Sequence, residues 1–162
     1  YQPFENQLVI KMKRKLGLWL RGQLLLSIFI GVLVYLGLTL LGVEYALVIA
    51  LLAAVLELVP YVGPVLASVP AIFLAFTQTG NFTLPLIVAL MFWIIQVVEN
   101  NLLVPRVMQK AVGINPIISI LSILIGAKLA GVVGVLLAIP VVTVLSVFIE
   151  EMRSVKNDEK IS

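Results

Sequence analysis

Apolar residues run along this chain in long blocks, interrupted by short polar clusters rather than by a regular alternation. Leu24 to Val43 is a block of 20 residues without a charge, the length needed to cross a hydrocarbon core of about 30 Å as a helix. Ahead of it, Leu8, Met12, Leu16 and Trp19 recur on one helical face, while Lys11, Lys13, Arg14 and Lys15 supply charge. Residues 1–22 therefore read as an amphipathic helix; a solvated linker before the first span is the alternative. Leu84 to Val104 forms a second clear span, closed by Pro105 and Arg106.

The remaining apolar blocks are too short or too interrupted for simple crossings. Val43 to Val59 carries Glu44 and Glu57 near its ends and breaks at Pro60-Tyr61-Val62-Gly63-Pro64. The next piece, Pro64 to Thr77, has only 14 residues, against the roughly 17–25 expected of a full span. A polar turn, Thr77 to Thr83, precedes the second span. Later, Asn115-Pro116 opens a piece that ends at Lys128, and Gly131 to Ile149 follows. Small residues recur every four positions at Ala46, Ala50 and Ala54, at Gly63, Ala67, Ala71 and Ala75, and at Ala130, Gly134 and Ala138. Such stripes let helices approach closely in lipid. The expected fold is all-α: a polytopic helical membrane protein with two clear spans and two broken or re-entrant helical hairpins. Two short ordinary spans joined by a tight turn remain the alternative for each hairpin.

Composition agrees with the pattern. Hydrophobic residues make up 62% of the chain and charged residues 12%, compared with roughly 45–50% and 25% in soluble domains. The lipid bilayer is therefore the expected partner of most of the surface. No basic stripe interleaves with aromatics, so no nucleic acid is expected. Histidine and cysteine are both absent, which removes disulfides and imidazole or thiolate metal sites. There is no nucleophile elbow and no phosphate-cradling glycine loop. No enzyme activity, cofactor or metal is expected, and transport by this chain would be secondary or channel-like.

Charge placement suggests orientation. Lys11 to Arg21 contains five basic residues and no acid, which by the positive-inside tendency puts this flank in the cytoplasm. Arg106 and Lys110, and the basic residues of 153–160, fall on the same side if each hairpin returns to its own face. The chain opens at Tyr1 with polar residues and no signal-peptide pattern, and it reads as a fragment of a longer protein. The expected organisation is an amphipathic cytoplasmic helix (1–22), a transmembrane permease domain (23–149) and a cytoplasmic tail (150–162), in the cell membrane.

Candidate chemistry concentrates in few places. Gln96, Glu99 and Asn100 share one helical face, with Asn101 beside them. Polar and ionisable residues in a membrane segment mark transport paths by default, so this cluster is expected to line a path for a small polar solute or a monovalent cation. A helix end at the headgroups is the competing reading. Glu57 stands between Leu56 and Leu58 at the helix break, and Lys128 is its one plausible cationic counterpart. The alternative is that each snorkels to its nearest interface. Pro60, Gly63 and Pro64 read first as turn punctuation, though carbonyls freed by a broken helix can also hold a cation.

The blocks WLRGQLLLSIFIGVLVYLGLTLLGV, LELVPYVGPVLASVPA, ENNLLVPRVM and GVVGVLLAIP resemble, in order and spacing, the membrane half of the autoinducer-2 exporter family of bacterial and archaeal permeases. The likeness runs from about Leu16 to Ile149 and implies the C-terminal half of such a protein. The other half would hold further spans and an extracytoplasmic helical region. It implies a homo-oligomeric secondary permease; some relatives export autoinducer-2, and others exchange sodium or lithium for protons. The family's Arg-Gly-Gln block falls on Arg21, Gly22 and Gln23. Its Pro-Tyr-x-Gly-Pro block falls on Pro60, Tyr61, Gly63 and Pro64. Its Glu-Gly-Asn block falls on Glu99, Asn100 and Asn101, and its Pro-Arg block on Pro105 and Arg106. Relatives often carry Asn where this chain has Glu57, Gly at Asn100, Thr at Val104 and Gly at Lys128. The expectation is a permease for a small polar solute, with a sodium(lithium)/proton antiporter and a non-transporting membrane scaffold as alternatives.

Overall fold

The computed structural model describes residues 4–106 and 115–158; Lys110 lies outside them. Every regular element among the described residues is helical. Helix α1 spans Phe4–Leu40, α2 Ala46–Leu56, α3 Gly63–Thr79 and α4 Thr83–Val98. The last of these runs on into a π-helical turn, Glu99–Leu103. Helix α5 spans Pro116–Asp158. The chain divides into two compact units: residues 4–21 with 115–158, and residues 22–106.

Among the described residues three stretches are long and apolar enough to cross a bilayer: Leu8–Leu40, Thr83–Arg106 and Ile117–Glu150. The third is not a single crossing. Ala130 (φ −141°, ψ 21°) and Gly131 (φ 57°, ψ −134°) leave helical geometry. Beyond them the backbone of Gly134 lies directly against that of Gly126, and Gly126 also faces Ala138. Eight residues along a straight helix would separate these glycines by about 12 Å. The chain therefore doubles back at 130–131, which is the second hairpin expected from Lys128 and Gly131. The result is an all-α, multi-pass architecture with α1 and α4 as unbroken spans.

The first hairpin is made by α2 and α3, of 11 and 17 residues. At 1.5 Å per residue these reach about 17 and 26 Å, short of a core of about 30 Å. Between them Tyr61 adopts a left-handed backbone, φ 71°, which no helix continues through. Pro64 sits in the first turn of α3, where its missing N–H costs nothing.

Close packing in this unit rests on small side chains. Gly63, Ala67, Ala71 and Ala75 are all buried, as their spacing predicts. In α2 the buried positions are Ile49, Ala50 and Ala53, one position off the predicted Ala46/Ala50/Ala54 stripe at its C-terminal end. The shift has a physical reason, because α2 has two neighbours. Ala53 presents its carbonyl to Gly63 of α3, while Ala54 abuts Gly31 of α1, where an added methyl would stand 2.9 Å from the Ala54 Cβ. On the other side of α1, Gly37 makes room for Met91 of α4.

Helix α1 has no break in helical structure at residue 22. The predicted apolar face is covered: Leu8 and Trp19 are buried, Met12 and Leu16 half-buried, and Lys13 and Arg14 exposed. Within the first unit, Lys15 Nζ pairs with Glu150 of α5 at 2.8 Å. Elsewhere large apolar side chains point outward, among them Leu25, Ile28, Phe73, Leu86, Leu124 and Val132. Such an apolar surface fits the membrane spans that the length and hydropathy of these helices indicate.

Candidate functional site

The last carbonyls of a helix have no partner within it, and α2 ends inside the protein. Two polar side chains of α1, one turn apart, reach those carbonyls. Gln23 Nε2 donates to the carbonyl of Glu57, the C-cap residue of α2, and Ser27 Oγ donates to the carbonyl of Ala54. Both side chains are buried. The break after α2 frees backbone N–H groups as well. The N–H of Tyr61 donates to Glu99 Oε1 at 3.0 Å, so the carboxylate at the end of α4 closes the gap left between α2 and α3.

Glu99 is itself held by its own helix. Gln96 Nε2 donates to Glu99 Oε2 at 3.1 Å and to Asn100 Oδ1 at 3.0 Å. Glu99 opens the π-helical turn, whose Val104 N–H reaches back five residues to the Glu99 carbonyl. Turns of this kind recur at functional sites because they widen the helix and re-aim side chains.

Glu57 completes the cluster. It is fully buried, and its carboxyl group lies beside that of Glu99 and against Gly63 at the start of α3. The groups that face the Glu57 carboxyl are the Glu99 carboxyl and the Gly63 backbone, and no side-chain amide or cation donates to it among the described residues. Gln23 Oε1 and Gln96 Oε1 are buried without a hydrogen-bond partner among the described residues, while their nitrogens are anchored at Glu57 and Glu99. The cluster thus presents several shielded oxygen acceptors that outnumber their donors. A cleft of about 240 Å³ between α3 and α4 borders it, lined by Pro64, Ser68, Phe92, Trp93 and Gln96 among others.

Of the residues singled out in the sequence, Gln96, Glu99, Asn100, Glu57, Tyr61 and Gly63 come together at the helix break. Pro60 and Pro64 frame it and are buried. Glu57 and Glu99 are each 0% exposed. Asn101 turns away, exposed, and bonds the Val97 carbonyl at 2.8 Å. Pro105 and Arg106 follow the π turn, with Arg106 exposed. Lys128 belongs to the other unit, exposed, two residues before the bend at Ala130. Ser27 was not singled out, and Gln23 entered only through the resemblance. The available signal was a pair of polar residues at i, i+4 inside an apolar helix.

Comparison with known proteins adds an independent line. A family model described as "AI-2E family transporter" matches residues 1–154. The protein named "Putative transport protein YrrI" of Bacillus subtilis (strain 168) is 35% identical over 132 residues, covering 82% of this chain and 37% of the relative. "Putative transport protein YhhT" of Escherichia coli (strain K12) is 38% identical over 129 residues, 80% of this chain and 37% of the relative. "AI-2 transport protein TqsA" of Escherichia coli (strain K12) is 32% identical over 126 residues, 78% and 36% respectively. The chain spans little more than a third of the length of these relatives.

Proposed function

This chain belongs to the AI-2E transporter family, and from that premise we propose that it is part of a secondary permease moving a small polar solute across the cytoplasmic membrane. The observation that carries the reading is the buried Glu99 carboxylate, which closes a broken helix beside a cleft in an otherwise apolar unit. Charge and hydrogen-bonding capacity are retained in a membrane segment only at a cost, and here they gather where two helices are interrupted. Gln96, Glu99, Asn100 and Glu57 would line the path, and the α2–α3 hairpin would move against α4 as solute passes. Broken helices serve secondary transporters in this way, because irregular backbone is tolerated at membrane depth when it lines a cavity.

Autoinducer-2 is the first solute to test, on the strength of the TqsA name. The Glu57–Glu99 pair favours a second reading, a sodium or lithium/proton antiporter. The orientation proposed here puts the N-terminal flank and the C-terminal tail in the cytoplasm, with residues 23–149 as the membrane domain. Homo-oligomerisation is likewise proposed. No catalytic chemistry is assigned to the chain.

The deciding experiment reconstitutes the full-length protein in proteoliposomes with an imposed pH gradient. The permease reading expects accumulation of autoinducer-2 that Glu99→Gln abolishes. Sodium-triggered collapse of the gradient, lost in the same variant, would favour the antiporter. Failure of either flux with assembly changed in Glu99→Gln would leave a scaffold.

A further inference from the structure

Within the first unit, the apolar side of the α1 flank is already covered by protein, with Leu8 and Trp19 buried. The opposite side of such a helix is expected to be polar throughout, and here it is not. Val9, Ile10, Leu18 and Leu20 are between 42% and 56% exposed. They are interspersed with the exposed cations Lys13, Arg14 and Arg21. Among the described residues none of these three cations has an ion-pair or hydrogen-bond partner, and Glu150 is committed to Lys15. No acid lies between Lys11 and Arg21. Water disfavours the aliphatic half of this face and hydrocarbon disfavours the charged half, whereas a layer of lipid headgroups suits both.

The cations are also grouped. On a helix the surface neighbours of a residue are those three and four positions away. For Gly17 these are Lys13, Arg14, Leu20 and Arg21. Gly17 is exposed, and a methyl group built on it would meet nothing within 4 Å. Three cations and a leucine therefore ring a gap with bare backbone as its floor. Arginine is well matched to phosphate, because its planar fork sets two N–H donors against two oxygens. The uncharged block opens shortly after Arg21, at Leu24, so the ring stands where the chain leaves the hydrocarbon.

We propose that Lys13, Arg14 and Arg21 around Gly17 form a binding site for the phosphate of one anionic phospholipid, whose acyl chains lie over Leu18 and Leu20. The headgroup supplies the negative charge that this face lacks, and the bound lipid fixes the α1 flank to the membrane surface. A zwitterionic headgroup brings a cation of its own to the same ring and is disfavoured there. The site rests on the membrane reading of the chain and is independent of the solute carried.

The test is native mass spectrometry of the full-length protein in mixed micelles of phosphatidylglycerol and phosphatidylcholine, which reads the lipids that stay bound. Wild type should prefer phosphatidylglycerol at least about tenfold. Arg14→Gln combined with Arg21→Gln should cut that preference at least about fivefold, since one cation at an anionic surface already contributes about that factor. Gly17→Leu decides between a built site and diffuse attraction, because it keeps every charge and fills the gap. It should release one phosphatidylglycerol per chain. If Gly17→Leu does not fold, Gly17→Met replaces it. A preference unchanged in the glycine variant, or unchanged in the double arginine variant, overturns the proposal. Equilibrium dialysis against inorganic phosphate separates the two sources of this chemistry. Phosphate alone bound as tightly as phosphatidylglycerol would make the ring a free-phosphate site and sink the lipid assignment; weaker binding supports it.

Discussion

Two of the reversals among the described residues, at 57–62 and at 130–131, are built from opposite materials. At 57–62 the break is polar, with Gln23 and Ser27 capping the end of α2, Glu99 taking the Tyr61 N–H and Glu57 buried among them. At 130–131 the bend is apolar. Gly131 adopts φ 57° and the arms meet backbone to backbone through Gly126 and Gly134. A groove of about 360 Å³ runs along that second hairpin, lined by residues such as Ile125, Leu129, Leu137 and Val141. Backbone groups freed in a membrane must be satisfied inside the protein. The first bend meets that demand with side chains that also carry chemistry; at the second no polar side chain among the described residues takes part, and glycines let the arms approach closely. A hairpin by itself thus implies no site. The polar repair of its break does.

Substitutions at the two bends should fail in different ways. The largest effect is expected at Gly134→Leu or Gly126→Val, where any side chain overlaps the facing backbone. Overpacking of this kind costs about 1–3 kcal/mol or more, and denaturant unfolding of the detergent-solubilised protein should register it. Gly131→Ala comes next: positive φ with ψ −134° is a conformation that side chains resist at about 1–3 kcal/mol. Its expected loss is of stability, with any solute recognition retained by the molecules that fold.

At the polar bend the effects divide by function. Gln23→Leu leaves the Glu57 carbonyl without its donor and should cost about 1–3 kcal/mol together with transport. Glu99→Gln keeps an acceptor for the Tyr61 N–H, so flux should disappear while the unfolding midpoint moves little. Were both variants to lose only stability, the contrast between the bends would collapse. The smallest effect is expected at Lys15→Ala, which removes the partly exposed ion pair with Glu150. Such pairs contribute about 0–1 kcal/mol and fade with salt, a difference readable by comparing unfolding at low and high ionic strength.

Much of this was legible in the residues themselves. Uncharged length located α1 and α4, because a bilayer core sets how many apolar residues a crossing needs. Proline and glycine located the break after Glu57, since neither sustains a helix in that arrangement. The spacing of Gln96, Glu99 and Asn100 put them on one face, and the Gly63–Ala75 stripe named the buried side of α3. Helical periodicity is a property of one segment, and one segment is all these inferences require.

What lay beyond the sequence was every relation between segments. Nothing in the letters says that Glu99 bonds the backbone of Tyr61, 38 positions away. Nor do they say that Gln23 and Ser27 cap α2, or that α2 turns Ala53 to one neighbour and Ala54 to another. A carboxylate reads the same in sequence whether it reaches water or is sealed beside a second carboxylate. The difference is made by which helices pack against it. Local pattern determined where the helices run and where they stop; only tertiary packing, which must find a partner for each polar group removed from water, decided that Glu57 and Glu99 meet.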